Sequence, residues 1–173
     1  FDDTAGHKVE KTVFIECMTH YHEYGPEHLK PVGEAEFVVG QIEQSKAAGA
    51  GTPTVAAFVG RIDFHLADKQ DEALDALMEA GKGYLRGIRS NGAYTPHTDA
   101  IGNPYHGVEN FYERDDVRAG IAALDKRGLL FDGWHYHPQN KQYADLVRTF
   151  PNMTFVLDHL GSPLGVGPYA AQK

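Results

Sequence analysis

Five short runs of apolar and β-branched residues, separated by stretches with helical spacing, constrain the fold of this chain most strongly. The runs cover residues 11–17, 52–60, 83–90, 128–137 and 153–161. Near-continuous apolar runs of this length are typical of strands buried on both faces, as in parallel sheets. The pattern therefore predicts five buried strands that run in one direction.

Amphipathic patterns fill all four gaps between these runs. They cover residues 34–48, 69–80, 114–127 and 140–150. A glycine follows each of the first three patterns and a proline follows the fourth, and both residues commonly end a helix. Strict alternation of strand and helix predicts one parallel sheet with right-handed crossovers.

Two α/β architectures share this order: an open doubly wound sheet, and part of a TIM (β/α)8 barrel. A barrel uses roughly 31 residues for each βα unit. The spacing of the five runs in a chain of 173 residues is close to that rate. We therefore expect a single domain over residues 1–173 with about five parallel βα units, three strands short of a whole barrel.

Residues 91–113 form an unusually long connection, rich in Gly, Pro, Asn and aromatic residues. Structureless connections of this length are uncommon and often functional. It leaves the carboxyl end of its strand, where α/β enzymes place their active sites. We expect it to contribute to a site; the alternative is a surface insertion.

Charge and composition exclude several classes of partner. The net charge is −8 and the sixteen Lys and Arg residues are scattered, which argues against a nucleic-acid-binding surface. No apolar run reaches the ~18 residues of a membrane span, so we expect no membrane partner. The lone Cys17 allows no internal disulfide, which is typical of a reducing compartment and favours the cytoplasm.

Histidines follow the last two strands. His135 and His137 are two residues apart, so both would face one side if the fourth strand continued through them. His159 ends the fifth strand, and neighbouring strands lie ~4.8 Å apart, so His137 and His159 could share one site. His20 and His22 occupy a loop after the first strand, and we expect them at its rim or outside it.

Arg89, near the end of the third strand, is a planar donor for a carboxylate or an oxyanion. The alternative is a salt bridge, for which Glu16 is a candidate partner. Asp158 adjoins His159 but should face the opposite side of a strand. We expect it to orient a neighbour.

The segments "VFIEC", "LRGIR", "FDGWHYHPQ" and "VLDHLGSPLGVGPYA", in this order, resemble the amidohydrolase-related family of metal-dependent hydrolases with a TIM-barrel fold, in particular its lactonase-like branch. The resemblance implies hydrolysis by activated water of a lactone or similar ester-like bond in a small carboxylated substrate. Related barrels also run non-oxidative decarboxylation. A non-catalytic α/β module that binds a ligand or partner is the alternative from another class.

The resemblance also implies roles for individual residues. His159 matches the catalytic histidine that contacts or activates the attacking water. His137 matches a ligand in members that bind a divalent metal such as Zn²⁺ or Mn²⁺, although some relatives work without one. Arg89 lies on the substrate side. His135 departs from the usual apolar residue there, and we assign it to substrate binding with Arg89.

By the same resemblance the chain corresponds to strands two to six of the family barrel. The family's first-strand histidine pair would then lie upstream of Phe1, and its last-strand aspartate downstream of Lys173. We therefore expect an internal fragment of a longer barrel, and a homo-oligomer or a completing chain as its protein partner.

Overall fold

A computed structural model describes residues 4, 6–49, 51–102 and 106–171 of the chain. The strands are Lys11–Ile15 (β1), Thr54–Gly60 (β2), Leu85–Asn91 (β3), Leu130–Trp134 (β4) and Phe155–Leu157 (β5). The α-helices are Val32–Ala47 (α1), Gln70–Ala80 (α2), Thr98–Ile101 (α3), Asp115–Lys126 (α4) and Asn140–Thr149 (α5). None of the helices in these described segments is long and apolar enough to cross a membrane.

The five strands are parallel and follow one another in the order β1-β2-β3-β4-β5. An open doubly wound sheet reverses its strand order at a switch point, whereas a (β/α)8 barrel keeps sequence order. The arrangement is that of a partial TIM barrel, which confirms the predicted fold class. The last two strands are shorter than their apolar runs suggested, because they end at Trp134 and Leu157.

The chain packs as two compact units, Phe1–Ile88 and Arg89–Lys173. In the first unit, α1 buries an apolar side that includes Val38 and Ile42, and α2 buries one that includes Leu74. The carboxylate of Glu34, also buried, accepts the backbone N–H groups of Cys17 (3.0 Å) and Thr19 (2.9 Å). This α1 side chain thereby fixes the segment that follows β1. A single domain over residues 1–173 stays a prediction.

The second unit has an aromatic core. The Tyr112 ring lies edge-on to Phe131 (6.3 Å between centroids) and to Tyr143 (5.1 Å), and Phe131 lies 6.1 Å from Phe155. Tyr112 belongs to the long connection 91–113, where it is buried together with its neighbour Phe111, whereas residues 108–110 are exposed. The connection is packed structure and also contains α3; residues 103–105 lie outside the described part.

Gly133 in β4 leaves room for the buried Tyr143 ring, and Gly133→Ala should destabilise the fold. An added Cβ would lie 2.9 Å from Tyr143 Cζ and 3.0 Å from its Oη, closer than side chains pack. The hydroxyl of Tyr143 donates to the carbonyl of Val156 (2.7 Å), so the ring cannot move freely. We expect a loss of roughly 1–3 kcal/mol in the free energy of unfolding, measured by urea denaturation.

Gly165→Ala is the matched control, since nothing lies within 4 Å of a Cβ at that position. Its effect should stay within about 0.5 kcal/mol. Equal losses in the two variants would contradict the steric account.

Candidate active site

The carboxyl ends of β3, β4 and β5 bring four polar side chains together, here named the Arg89 cluster: Arg89, Asp132, Asp158 and His159. Arg89 donates to Asp132 Oδ2 from Nε (3.0 Å) and Nη2 (2.8 Å). The same Nη2 lies 3.2 Å from Asp158 Oδ2, and Asp158 Oδ1 lies 3.5 Å from His159 Nε2. The guanidinium thus links two strand ends, and Asp158 connects it to the histidine.

Burial decides the electrostatics of Asp132. Its side chain is 3% exposed, and its Oδ1 has no hydrogen-bond partner within the described residues. Loss of hydration raises the pKa of Asp132, and the hydrogen bonds and charge of Arg89 offset this only in part. One guanidinium faces two carboxylates, so these three side chains carry a net charge of −1 when all are ionised.

His159 occupies a left-handed turn. The φ angles are 48° at His159, 55° at Leu160, 71° at Gly161 and 37° at Ser162. The expectation that Asp158 and His159 face opposite sides is wrong, because β5 ends at Leu157 and this turn brings their side chains within 3.5 Å. The His159 side chain remains 68% exposed, which leaves its ring accessible to solvent.

His135 is a core residue. Since β4 ends at Trp134, the expectation that both histidines lie on a strand is wrong. The His135 ring is fully buried, with Nε2 2.9 Å from Asn140 Oδ1 and Nδ1 2.9 Å from Tyr112 Oη. An amide oxygen only accepts, so Nε2 carries the proton and Nδ1 accepts from Tyr112. Both ring nitrogens are used within the fold, and a substrate-binding role stays a prediction.

His135 should make stability depend on pH. Burial lowers its pKa below the ordinary value of 6.5. The unfolded chain therefore binds the proton first as pH falls, and this contribution is present above pH 6.5 and lost as pH falls through the folded pKa. We expect the free energy of unfolding to drop from pH 7.5 to pH 5 less steeply in His135→Gln, measured by urea denaturation. Identical slopes would contradict the assignment.

His137 begins a 3-10 turn, His137–Gln139, directly after β4. Its Nδ1 accepts the backbone N–H of Leu164 (3.1 Å), and its ring lies edge-on to Tyr169 at 5.5 Å. The Tyr169 hydroxyl lies 3.0 Å from Thr95 Oγ1. The turn after β4 therefore contacts both the long connection and the segment that follows β5.

Gln139 joins the turn after β4 to the long connection and was not among the predicted site residues. Its amide nitrogen donates to the carbonyls of Gly92 and Tyr94, each at 3.1 Å, and its oxygen accepts Tyr136 N–H at 3.0 Å. Asp132 was also missed. Both residues stand in the segment "FDGWHYHPQ", where the spacing argument considered only the histidines.

The remaining candidates belong to the first unit. His20 stacks on Phe37 of α1 (3.7 Å), and His22 Nε2 lies 2.9 Å from Glu36 Oε2. Glu16 pairs with Arg61 (3.7 Å). The suggestion that Glu16 is a partner of Arg89 stays a prediction. Both histidines are exposed beside α1, and their place at a rim stays a prediction.

The described side chains do not, by themselves, fit a divalent cation. No three His, Cys, Asp or Glu residues among them come together as a metal site. His137 already uses Nδ1 as an acceptor, the reverse of the usual arrangement in a metal-ligating histidine, which donates its second ring N–H. The predicted ligand role of His137 therefore has no supporting ligand set in the described ranges.

A family model described as Amidohydrolase matches residues 33–171, which include the whole Arg89 cluster. The chain belongs to the amidohydrolase family. Family membership supports a hydrolase or a related activity of the superfamily, and members are usually metal-dependent. It confirms the resemblance to the amidohydrolase-related family, and the lactonase-like branch stays a prediction.

One relative of this amidohydrolase-family chain is "Uncharacterized protein y4mH" of Sinorhizobium fredii (strain NBRC 101917 / NGR234). The two are 29% identical over 137 residues, which cover 79% of this chain and 42% of the relative. The chain thus spans less than half the length of this curated relative. No solved structure matches this chain at a significant level.

Proposed function

We propose that the protein hydrolyses a lactone or a similar ester-like bond in a small carboxylated substrate, with the Arg89 cluster at the centre of the reaction. The observation that carries this proposal is the link from Arg89 through Asp158 to the exposed ring of His159. A positioned base beside a fixed hydrogen-bond donor is the arrangement that acyl transfer to water requires.

His159 serves as the base for the attacking water. Asp158 Oδ1 lies 3.5 Å from His159 Nε2, so the carboxylate favours a proton on that nitrogen and leaves Nδ1 as the acceptor. When Nδ1 takes a proton from water, the resulting imidazolium is stabilised by the same carboxylate. Asp158 thus orients His159 and does not itself contact the substrate.

Arg89 supplies the donor for the oxygen that gains charge. Its Nε and Nη2 are occupied by Asp132 and Asp158, whereas Nη1 makes no hydrogen bond or ion pair within the described residues. Because two carboxylates balance its charge, Nη1 acts as an oriented N–H donor to an oxyanion or a substrate carboxylate. Asp132 keeps this guanidinium in one orientation.

Cofactor, location and partners complete the proposal. Zn²⁺ and Mn²⁺ are the cations to test, because members of the family usually depend on a metal. A cytoplasmic location fits the exposed free thiol of Cys17, which survives best in a reducing compartment. A homo-oligomer or a completing chain stays a proposal for the whole protein.

The test is a substrate panel with the full-length protein. Carboxylated and neutral lactones, with matched open-chain esters, are assayed for acid release after chelation and after addition of Zn²⁺ or Mn²⁺. We expect turnover of lactones, fastest for those with a carboxylate. Release of CO₂ from carboxylic acids in place of hydrolysis would identify a decarboxylase. Binding without turnover of any compound would contradict the enzyme assignment.

A further inference from the structure

The ring of His159 can be positioned only as well as the backbone that carries it. Its side chain is mostly exposed, and its polar partner among the described residues is Asp158 Oδ1, 3.5 Å from Nε2. That separation is longer than a strong hydrogen bond, so Asp158 alone leaves the ring considerable freedom. An acid–base group needs a well-defined place, since an error of about 1 Å can cost a large part of the rate. The backbone of residues 158–162, here called the His159 turn, therefore decides where the ring lies.

The His159 turn has a backbone conformation that its own residues do not favour. His159, Leu160 and Ser162 all have positive φ. Such a conformation persists where contacts with the surrounding structure hold it. Within the turn, the backbone N–H of Ser162 donates to the carbonyl of His159 at 2.9 Å. Leu160 is exposed, so the contacts that hold the turn from outside must be sought at Gly161 and Ser162.

The first contact is a hydrogen bond from β4. The indole N–H of Trp134 donates to Ser162 Oγ at 2.9 Å. Trp134 is the last residue of β4, its carbonyl accepts the N–H of Gly92 at 2.9 Å, and its half-buried ring lies edge-on to Tyr136. The donor is thus fixed through both its backbone and its side chain. Because the N–H of the same Ser162 holds the carbonyl of His159, the indole restrains the residue that carries the ring.

The second contact is steric and comes from the start of α5. Gly161 is buried, and a Cβ added there would overlap Asn140 Oδ1 and lie 3.1 Å from Asn140 Cγ. The Asn140 amide cannot easily move aside, because its Oδ1 accepts the Nε2–H of the buried His135 at 2.9 Å. Moving it would leave a buried N–H unpaired. The amide therefore forms a fixed surface against which the backbone of Gly161 packs.

We infer that Trp134 and Asn140 are positioning residues for His159. They hold the His159 turn from two sides, one by a hydrogen bond and one by packing, and so place the ring where it meets the attacking water. Neither acts on the substrate itself. The catalytic part of the inference rests on the proposed function of His159, whereas the anchoring of the turn rests on the two contacts alone.

Anchoring is tested by hydrogen exchange of the Ser162 amide, followed in proton–nitrogen spectra of the full-length protein. This N–H is bonded to the His159 carbonyl, so it exchanges when the turn opens. We expect Trp134→Phe and Asn140→Ala each to accelerate the exchange by roughly 5- to 10-fold, the effect of one net hydrogen bond. The amide of Leu146, buried within α5, should exchange at the wild-type rate in both variants. Unchanged exchange at Ser162 would overturn the anchoring role of the residue replaced.

The catalytic part is tested by steady-state rates on the best lactone of the panel. Trp134→Phe and Asn140→Ala should each lower kcat about 10-fold and leave KM nearly unchanged, because a misplaced ring affects the reaction of water and not substrate binding. Asn140→Asp keeps an acceptor of the same size for His135 and should retain most of the activity. Gln142→Ala is the matched control: it removes an amide from the same helix, bonded at 2.9 Å to Asn110, and should keep the wild-type kcat. Wild-type kcat in both test variants would refute the positioning role.

A double variant separates positioning from a general loss of structure. Where His159 is already alanine there is no ring to place, so Trp134→Phe combined with His159→Ala should be no slower than His159→Ala alone. A further loss in the double variant would refute action through His159. Ser162→Ala removes the acceptor in place of the donor, and it replaces Trp134→Phe if that variant does not fold. If the unmodified protein cleaves no ester or lactone, the proposed function and the catalytic part of this inference fail, and the exchange rates still decide the anchoring.

Discussion

Replacement of His159 by alanine is expected to lower kcat for lactone hydrolysis by roughly 10²- to 10⁴-fold, the usual effect of losing a positioned acid–base group. Its side chain is 68% exposed, so removal leaves no cavity and should change the free energy of unfolding little. The loss should appear in kcat more than in KM, because in the proposed mechanism the ring acts on water and not on substrate binding. Steady-state rates at pH 7.5 on the best lactone of the panel provide the measurement.

Two further variants serve as comparisons for His159→Ala. His7→Ala changes another exposed histidine and should keep full activity. Asp158→Asn keeps the size of the side chain but removes the charge beside His159, so it should lower kcat less than His159→Ala does. A His159→Ala enzyme with wild-type kcat would remove His159 from the mechanism, whatever the family's chemistry.

Asp132→Ala is expected to destabilise the protein by about 3–5 kcal/mol, the cost of removing one partner of a buried ion pair. The Asp132 side chain is 3% exposed and accepts two hydrogen bonds from Arg89. In the Asp132→Ala variant, Arg89 would lose both of these bonds and keep only its contact with Asp158. A loss of this size is a large part of the stability of an ordinary domain. Urea denaturation followed by circular dichroism measures it.

Asp145→Ala is the matched control in the same unit. Asp145 likewise accepts from cationic side chains, Lys141 (2.6 Å) and Arg148 (2.7 Å), but its side chain is 44% exposed. Solvent-exposed pairs contribute little to stability, so the control should unfold close to the wild-type midpoint. Similar losses in the free energy of unfolding for the two aspartate variants would mean that burial does not determine how much the Arg89–Asp132 pair contributes to stability.

The order of the strands and helices was predictable because it depends on local patterns. Apolar runs gave all five strands, and the helical pattern at 114–127 became Asp115–Lys126. Strand ends were less predictable. The run 128–137 continues through "WHYH", but Gln139 accepts the N–H of Tyr136, so hydrogen bonds within the following turn replace those of a sheet.

The site was predictable in part. Arg89 and His159 were named from the sequence, and the structure joins them through Asp158. The pairing of Arg89 with Asp132 was not foreseen, because alternation along one strand says nothing about which acid on the next strand meets it. The burial of His135 was missed for a similar reason: its partner Tyr112 comes from the long connection, 23 residues earlier in the chain.

The left-handed turn that carries His159 limits which sequences can replace it. His159, Leu160 and Ser162 all have positive φ, a conformation that costs an L-residue roughly 1 kcal/mol or more. Leu160 is 81% exposed, so packing does not explain a leucine there. In sequence space, positions 160 and 162 should accept Gly, Asn and Asp readily and reject Val, Ile and Thr, whose branched Cβ disfavours this backbone. A protein engineer who redesigns this edge is therefore bound more by backbone handedness than by side-chain chemistry.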